Sequence, residues 1–253
     1  MTGVRSPLPL PVRITLVGPL TVSGFALAGL AAACLGFVLA ARRFHDEPPA
    51  VRRRLLWGLL WASLAGLVAA RLADQWTTPD LRFADPRSWL PSLAAGTGLA
   101  WAGGIVEGIV IFAAWLRGGG VPWRPALDRL APALAWATAV GWLGAPFYGR
   151  LTQLPWGLRV APGLALQPIQ VYGALGFGGI GWLLARQEPA LAYAGGNGAT
   201  FVALASALRL LLGFALPGAR AFGPWTATQL ADAALLVAAL LWGRSLAAAA
   251  GSR

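Results

Sequence analysis

The chain of 253 residues contains no lysine, one cysteine, one histidine, one methionine and nine acidic residues. Charged residues make up 11% of it, where an ordinary soluble domain carries about 25%. Each shortage excludes something. A lone thiol, Cys34, cannot form a disulfide within the chain, and its place inside an apolar run reads as a small apolar filler. The lone imidazole, His45, sits in an arginine-rich connection, so neither a metal site nor a cofactor is expected. No cleavable signal peptide is expected either, because Pro7, Pro9 and Pro11 interrupt a start that holds no long apolar core. The basic residues are all arginine, and the net charge is +11. Most of them lie between apolar runs, as anchoring to an anionic leaflet requires, and this argues against a nucleic-acid partner. The arginine bias, alongside abundant alanine and glycine, fits a GC-rich genome.

Apolar sequence is what the chain has in quantity. Hydrophobic residues reach 57%, mean hydropathy is +0.64, and runs near the ~20 residues that cross a bilayer recur throughout. This predicts an all-α, polytopic transmembrane helical bundle. A β-barrel is excluded, since it needs short strands of alternating polarity. Seven spans are expected, at about 20–41, 55–73, 94–116, 127–145, 168–185, 199–216 and 226–243, within one membrane domain over 1–253. The connections "ARRFHDEPPAVRRR" and "RGGGVPWRPALDR" and the C-terminus are rich in arginine. By the positive-inside rule they are cytoplasmic, which places the N-terminus outside. Trp76, Trp89, Trp156 and Trp225 fit an aromatic belt on the outer face.

Ionisable residues inside a bilayer are costly, about 2.5–3.5 kcal/mol at its centre, and mark functional sites. Four stand out: Arg71, Glu107, Arg209 and Asp232. Arg71 is near enough to its span's end to snorkel. Asp232 reads either as a packing hydrogen-bonder or as a counter-ion. Arg209 lies between leucine runs and needs an anion: Glu107, Asp232 or a lipid phosphate. Glu107, in "LAWAGGIVEGIVIFAAWL", reads either as a protonated acid bonded across helices or as a site residue. Gln167, Gln170 and Tyr172 open the fifth span, where they either bond neighbouring helices or line a headgroup pocket.

Short motifs add a resemblance. "VGPLTVSGF", "LVAARLADQW", "AWAGGIVEG", "AVGWLGAPFYGR", "QPIQVYG", "ALRLLLGF" and "TATQLADA" follow one another along nearly the whole chain. In that order they resemble "IGPLTIRWYG", "GGRLGYVLFY", "SFHGGLIGG", "GAGRLGNFINGE", "HPSQLYE", "AFRIIVEFFR" and "SMGQILSI" of the prolipoprotein diacylglyceryl transferases. The resemblance implies a bacterial cytoplasmic-membrane protein. It also implies transfer of diacylglyceryl from phosphatidylglycerol to the lipobox cysteine of a lipoprotein precursor, with glycerol phosphate released. Such chemistry needs cations for the phosphate and a base for the thiol.

The departures from those motifs are substantial. The family's His of "HGG" is Ala102, the Arg and Asn of "GRLGN" are Trp142 and Ala145, and the Glu of "NGE" is Arg150. The His and Glu of "HPSQLYE" are Gln167 and Gly173, the Glu after the sixth-span Arg is Gly213, and an early Tyr is Phe25. The resemblance leaves Arg71, Gln170, Tyr172, Gln229, Gly103, Gly104 and Gly144 as candidate substrate-binding positions, with Arg209 and Glu107 as candidate catalytic ones. Glu107, three positions beyond Gly104, is expected on the site's side of its helix, as a counter-ion to Arg209 rather than a substitute base. The expected function is phospholipid binding with catalysis weak or lost, in a structural or partner-binding subunit of a membrane complex. The alternative is an active transferase with a rebuilt site. A transporter fits less well, since no internal repeat or matched pair of broken helices is visible.

Overall fold

A computed structural model describes residues 13–17, 20–77, 101–145, 149–187, 193–217 and 221–252. Among them are seven helices: α1 (Gly24–Arg43), α2 (Pro49–Thr77), α3 (Trp101–Arg117), α4 (Trp123–Leu143), α5 (Ile169–Gln187), α6 (Gly196–Ala215) and α7 (Ala227–Gly251). Each overlaps one expected span. Residues 94–100 lie outside the described set, and α2 and α7 run several residues further than expected. Four helices are long and apolar enough to cross a bilayer: α1, α2, α6 and α7. Large apolar side chains cover the outside, with Leu175 71% and Leu211 66% exposed. Water would penalise such a surface, and hydrocarbon does not. The chain is a helical membrane protein.

Two hairpins were not expected. Strand β1 (Arg13–Val17) pairs antiparallel with β2 (Leu20–Ser23), Arg13 opposite Ser23. The first helix therefore begins at Gly24 rather than at residue 20. The β-branched residues Thr21 and Val22 favour a strand there. Strand β3 (Leu158–Ala161) pairs with β4 (Leu164–Leu166) in the connection from α4 to α5. Pro162 and Gly163 join them. Gly163 has φ +74°, the left-handed position that glycine occupies without strain after a turn proline.

Packing departs from chain order. Helix α2 packs on α3, α4 on α5 and α6 on α7, while α1 passes α2 to lie against α4. Small residues permit the close approaches. A Cβ on Gly66 of α2 would sit 2.8 Å from the Gly104 carbonyl oxygen of α3, and one on Gly103 would sit 2.6 Å from the Ala73 Cβ. At the end of α4, a Cβ on Gly144 would come within 2.1 Å of the Ala28 Cβ of α1. Two cores result. One gathers α4 to α7 around Trp142, Phe177 and Phe201; the other gathers α1 to α4 around Phe44, Leu55 and Phe112. Cys34 is exposed on the outside of α1.

Arginines close one end of the bundle. Arg129 pairs with Glu47 and donates to the Arg43 carbonyl. Arg117 and Arg124 lie over Trp123, 5.0 and 5.6 Å from its ring centre, and Trp123 stacks on Trp242. Asp128 accepts from the backbone N–H groups of Gly195 and Gly198 at the start of α6, at 2.5 and 3.0 Å, where a carboxylate suits the helix dipole. Arg209, Asp232, Gln170 and Gln229 lie toward the opposite end.

Candidate functional site

Between the two cores, where α3 and α4 touch only sparsely, lies a cavity of about 470 Å³. Its walls come from Leu59, Ala62, Gly66 and Ala70 of α2, Trp101, Gly104 and Phe112 of α3, and Leu127, Leu134 and Trp142 of α4. Small residues hollow it out. From Leu59 to Ala70 it follows α2 for about 16 Å, at 1.5 Å per residue. Two hydroxyls in the wall are already spent on their own helices: Ser63 donates to the Leu59 carbonyl and Thr138 to the Leu134 carbonyl, both at 2.8 Å. The surface offered is therefore apolar, with one charged group among the described residues, Arg209 of α6.

Arg209 is held from two sides. Its Nε donates to Asp232 Oδ1 of α7 at 3.2 Å, and its guanidinium lies 5.0 Å from the centre of the Trp101 ring, within cation–π range. The Arg209 side chain is 20% exposed and that of Asp232 4%. Neither Nη group has a hydrogen-bond partner among the described residues. That leaves the fork, which suits two phosphate oxygens at once, available at the cavity.

This corrects the expected pairing. The counter-ion of Arg209 is Asp232, and Glu107 makes no ion pair or hydrogen bond among the described residues. Nor does Glu107 line the cavity, although Gly104, Ile105 and Gly108 of the same helix do. The physical reason is adjacency. Helices α6 and α7 are antiparallel neighbours on a short connection, and Arg209 and Asp232 stand about equally far from it. Chain order made that pairing one of several possible, and the packing of α7 on α6 realised it. The roles of Trp101 and Trp142 carried no such signal.

The remaining candidates separate. Gly104 lines the cavity; Gly103 and Gly144 serve helix contacts at α2 and α1. Gln170 Nε2 donates to the Ala145 carbonyl at 3.4 Å, tying the start of α5 to the end of α4. Tyr172 Oη accepts from Trp156 Nε1 at 2.6 Å, tying α5 to the hairpin connection. Gln229 closes a capping box with Thr226 at the start of α7, while its Nε2 is buried with no partner among the described residues. Arg71 falls within α2, and its side chain lies outside the described residues, as do those of Phe25, Trp76 and Trp89.

Two glycines are covered by large side chains. Trp142 lies over Gly173, where a Cβ would be 2.3 Å from the indole, and it stacks on Phe177 at 6.3 Å between ring centres. Gln229 lies against Gly213, where a Cβ would be 2.6 Å from its Cγ. At the α4–α5 contact an indole thus rests on a glycine.

Fold and site together define an integral membrane protein of the helical class with an internal apolar cavity headed by one guanidinium. The family model for prolipoprotein diacylglyceryl transferase matches residues 11–243, and the chain belongs to that family. It is similar to the phosphatidylglycerol–prolipoprotein diacylglyceryl transferase of Streptomyces avermitilis, with 29% identity over 70% of this chain and 55% of that protein. The Cutibacterium acnes protein of that name is 30% identical over 57% of this chain and 50% of its own length. The Mycobacterium bovis one is 32% identical over 63% and 36%. The chain thus spans about half or less of the length of these relatives.

Proposed function

We propose that this chain holds a phosphatidylglycerol-type phospholipid, with its phosphate on the Arg209 fork and an acyl chain in the apolar cavity. The observation that carries the reading is a cation with both Nη groups free, at an otherwise apolar cavity. Arg71, one residue beyond the cavity-lining Ala70, is the proposed second cation. Gln170, Tyr172 and Gln229 order the rim, and Gly103, Gly104 and Gly144 set the helix spacing that keeps the cavity open. The protein sits in the bacterial cytoplasmic membrane as a seven-span domain, N-terminus outside and C-terminus inside.

In this reading the transfer step is weak or lost, and the protein serves as a lipid-holding structural or partner-binding subunit. The support is the filling of Gly173 by Trp142 and of Gly213 by Gln229. It removes the room that charged side chains at those positions would occupy. Losing a proton-transfer group typically costs 10²–10⁴ in rate, and several motif positions are changed together.

The names of the relatives favour a second reading, an active transferase. Arg209 would then stabilise the leaving phosphate as the thiolate of a lipobox cysteine attacks the glyceryl carbon. Glu107 would be the base, though it lies off the cavity wall. One experiment separates the readings. Purified protein is incubated with phosphatidylglycerol and a lipobox peptide, and both are followed by mass spectrometry. Retained phospholipid without a peptide adduct is the expected result. No retained phospholipid would overturn lipid holding, and an adduct that vanishes in Arg209→Ala would establish the transferase.

A further inference from the structure

A second cavity opens at the arginine-rich end, away from Arg209. Helices α1 and α2 are consecutive, yet α1 packs on α4 and α2 on α3. They diverge and leave a groove between them, about 670 Å³ in volume. Phe37, Leu56, Trp57 and Leu60 line it, with Arg52 and Arg53 at its rim. Trp57 is 49% exposed, and both arginines are exposed.

The neighbouring arginines have other work. Arg54 donates to the Trp115 carbonyl at 2.8 Å, and Arg43 donates to the Arg129 carbonyl. The nearest acids are occupied too: Glu47 by Arg129, and Asp46 by His45 at 2.8 Å. Arg52 and Arg53 make no ion pair, hydrogen bond or ring contact among the described residues. They also stand beside the first turn of α2, where the N–H groups of Ala50 and Val51 have no preceding helical carbonyl to bond. The end of a helix dipole adds to the attraction for an anion.

We infer that this groove binds an anionic phospholipid of the cytoplasmic leaflet. Its phosphate sits on Arg52 and Arg53, an acyl chain lies over Phe37, Leu56 and Leu60, and Trp57 stands at the headgroup level. Charge complementarity selects the occupant: two unpaired cations above an apolar trough at the membrane surface fit an anionic lipid and repel nothing in it. From Arg53 to Ala70 the rise along α2 is about 25 Å, so the two sites face opposite leaflets and fill independently. Only the choice of leaflet rests on the orientation proposed above. The lipid acts as a wedge that extends the sparse contact between α1 and α2.

The test titrates purified wild type, Arg52→Ala/Arg53→Ala, Arg42→Ala and Arg209→Ala with phosphatidylglycerol or phosphatidylcholine, counting bound lipids by native mass spectrometry. The wild type is expected to hold two phosphatidylglycerols. The double variant is expected to bind one of them roughly thirtyfold more weakly, with Arg42→Ala unchanged, because Arg42 lies outside the groove. Arg209→Ala is expected to lose the other lipid only, so failure at either site is read separately. Unchanged binding in the double variant would overturn the inference. So would an equal loss in Arg42→Ala, which would indicate a diffuse basic belt, or equal uptake of phosphatidylcholine. Glycerol phosphate bound as tightly as the lipid would replace lipid with a soluble anion.

Discussion

At the scale of single residues, the arrangement turns on how one guanidinium is used. Asp232 takes the Nε of Arg209 and leaves the fork to the cavity, so Arg209→Ala should weaken phosphatidylglycerol binding by about tenfold to a hundredfold, the worth of charge-assisted hydrogen bonds. Arg209→Lys should fall between, since an ammonium keeps the charge but not the planar fork. Lipid retention on native mass spectrometry reads both. Asp232→Ala acts differently. It strips the guanidinium of its buried partner and should destabilise the protein by about 3–5 kcal/mol, seen as a lower melting temperature in detergent even without lipid.

At the scale of elements, glycines set the distances and large side chains answer them. The α2–α3 crossing runs through Gly66 and Gly104, with each Cβ position about 3 Å or less from the other's carbonyl oxygen. Gly66→Leu should therefore pry the pair apart and cost about 1–3 kcal/mol, with loss of lipid retention as the cavity wall shifts. The α4–α5 contact depends on Trp142 covering Gly173. Gly173→Ala alone should be destabilising, and the same change in a Trp142→Ala background should cost much less. A double-mutant cycle should return a coupling of about 1–3 kcal/mol. Additive effects would show that the indole does not occupy the space above Gly173 in the membrane.

At the scale of the whole molecule, the proposed orientation rests on the arginines. Arg43, Arg117, Arg124 and Arg129 share one end of the bundle, and the candidate site lies toward the other. In a Cys34→Ser background, Thr152→Cys in the hairpin connection should react with a membrane-impermeant maleimide in intact cells. Ser252→Cys should react only after permeabilisation. The reverse labelling would place Arg209 in the inner half of the membrane and the α1–α2 groove at the outer leaflet.

The sequence by itself determined the class of fold, because apolar runs of bilayer length admit only helices in hydrocarbon. It also singled out Arg209 and Asp232, since charges between leucine runs are conspicuous wherever the chain goes. The strands at residues 20–23 and 158–166 were not legible: short apolar segments carry no period long enough to separate strand from helix. What only the tertiary structure decided was partnership. Glu107 and Asp232 are equally acidic and about as far into their helices, and the packing of α7 on α6 gave Arg209 to Asp232. The cavity, the indole over Gly173 and the groove between α1 and α2 were likewise hidden. Each depends on which helices touch, and the packing of α1 on α4 past α2 is not given by chain order.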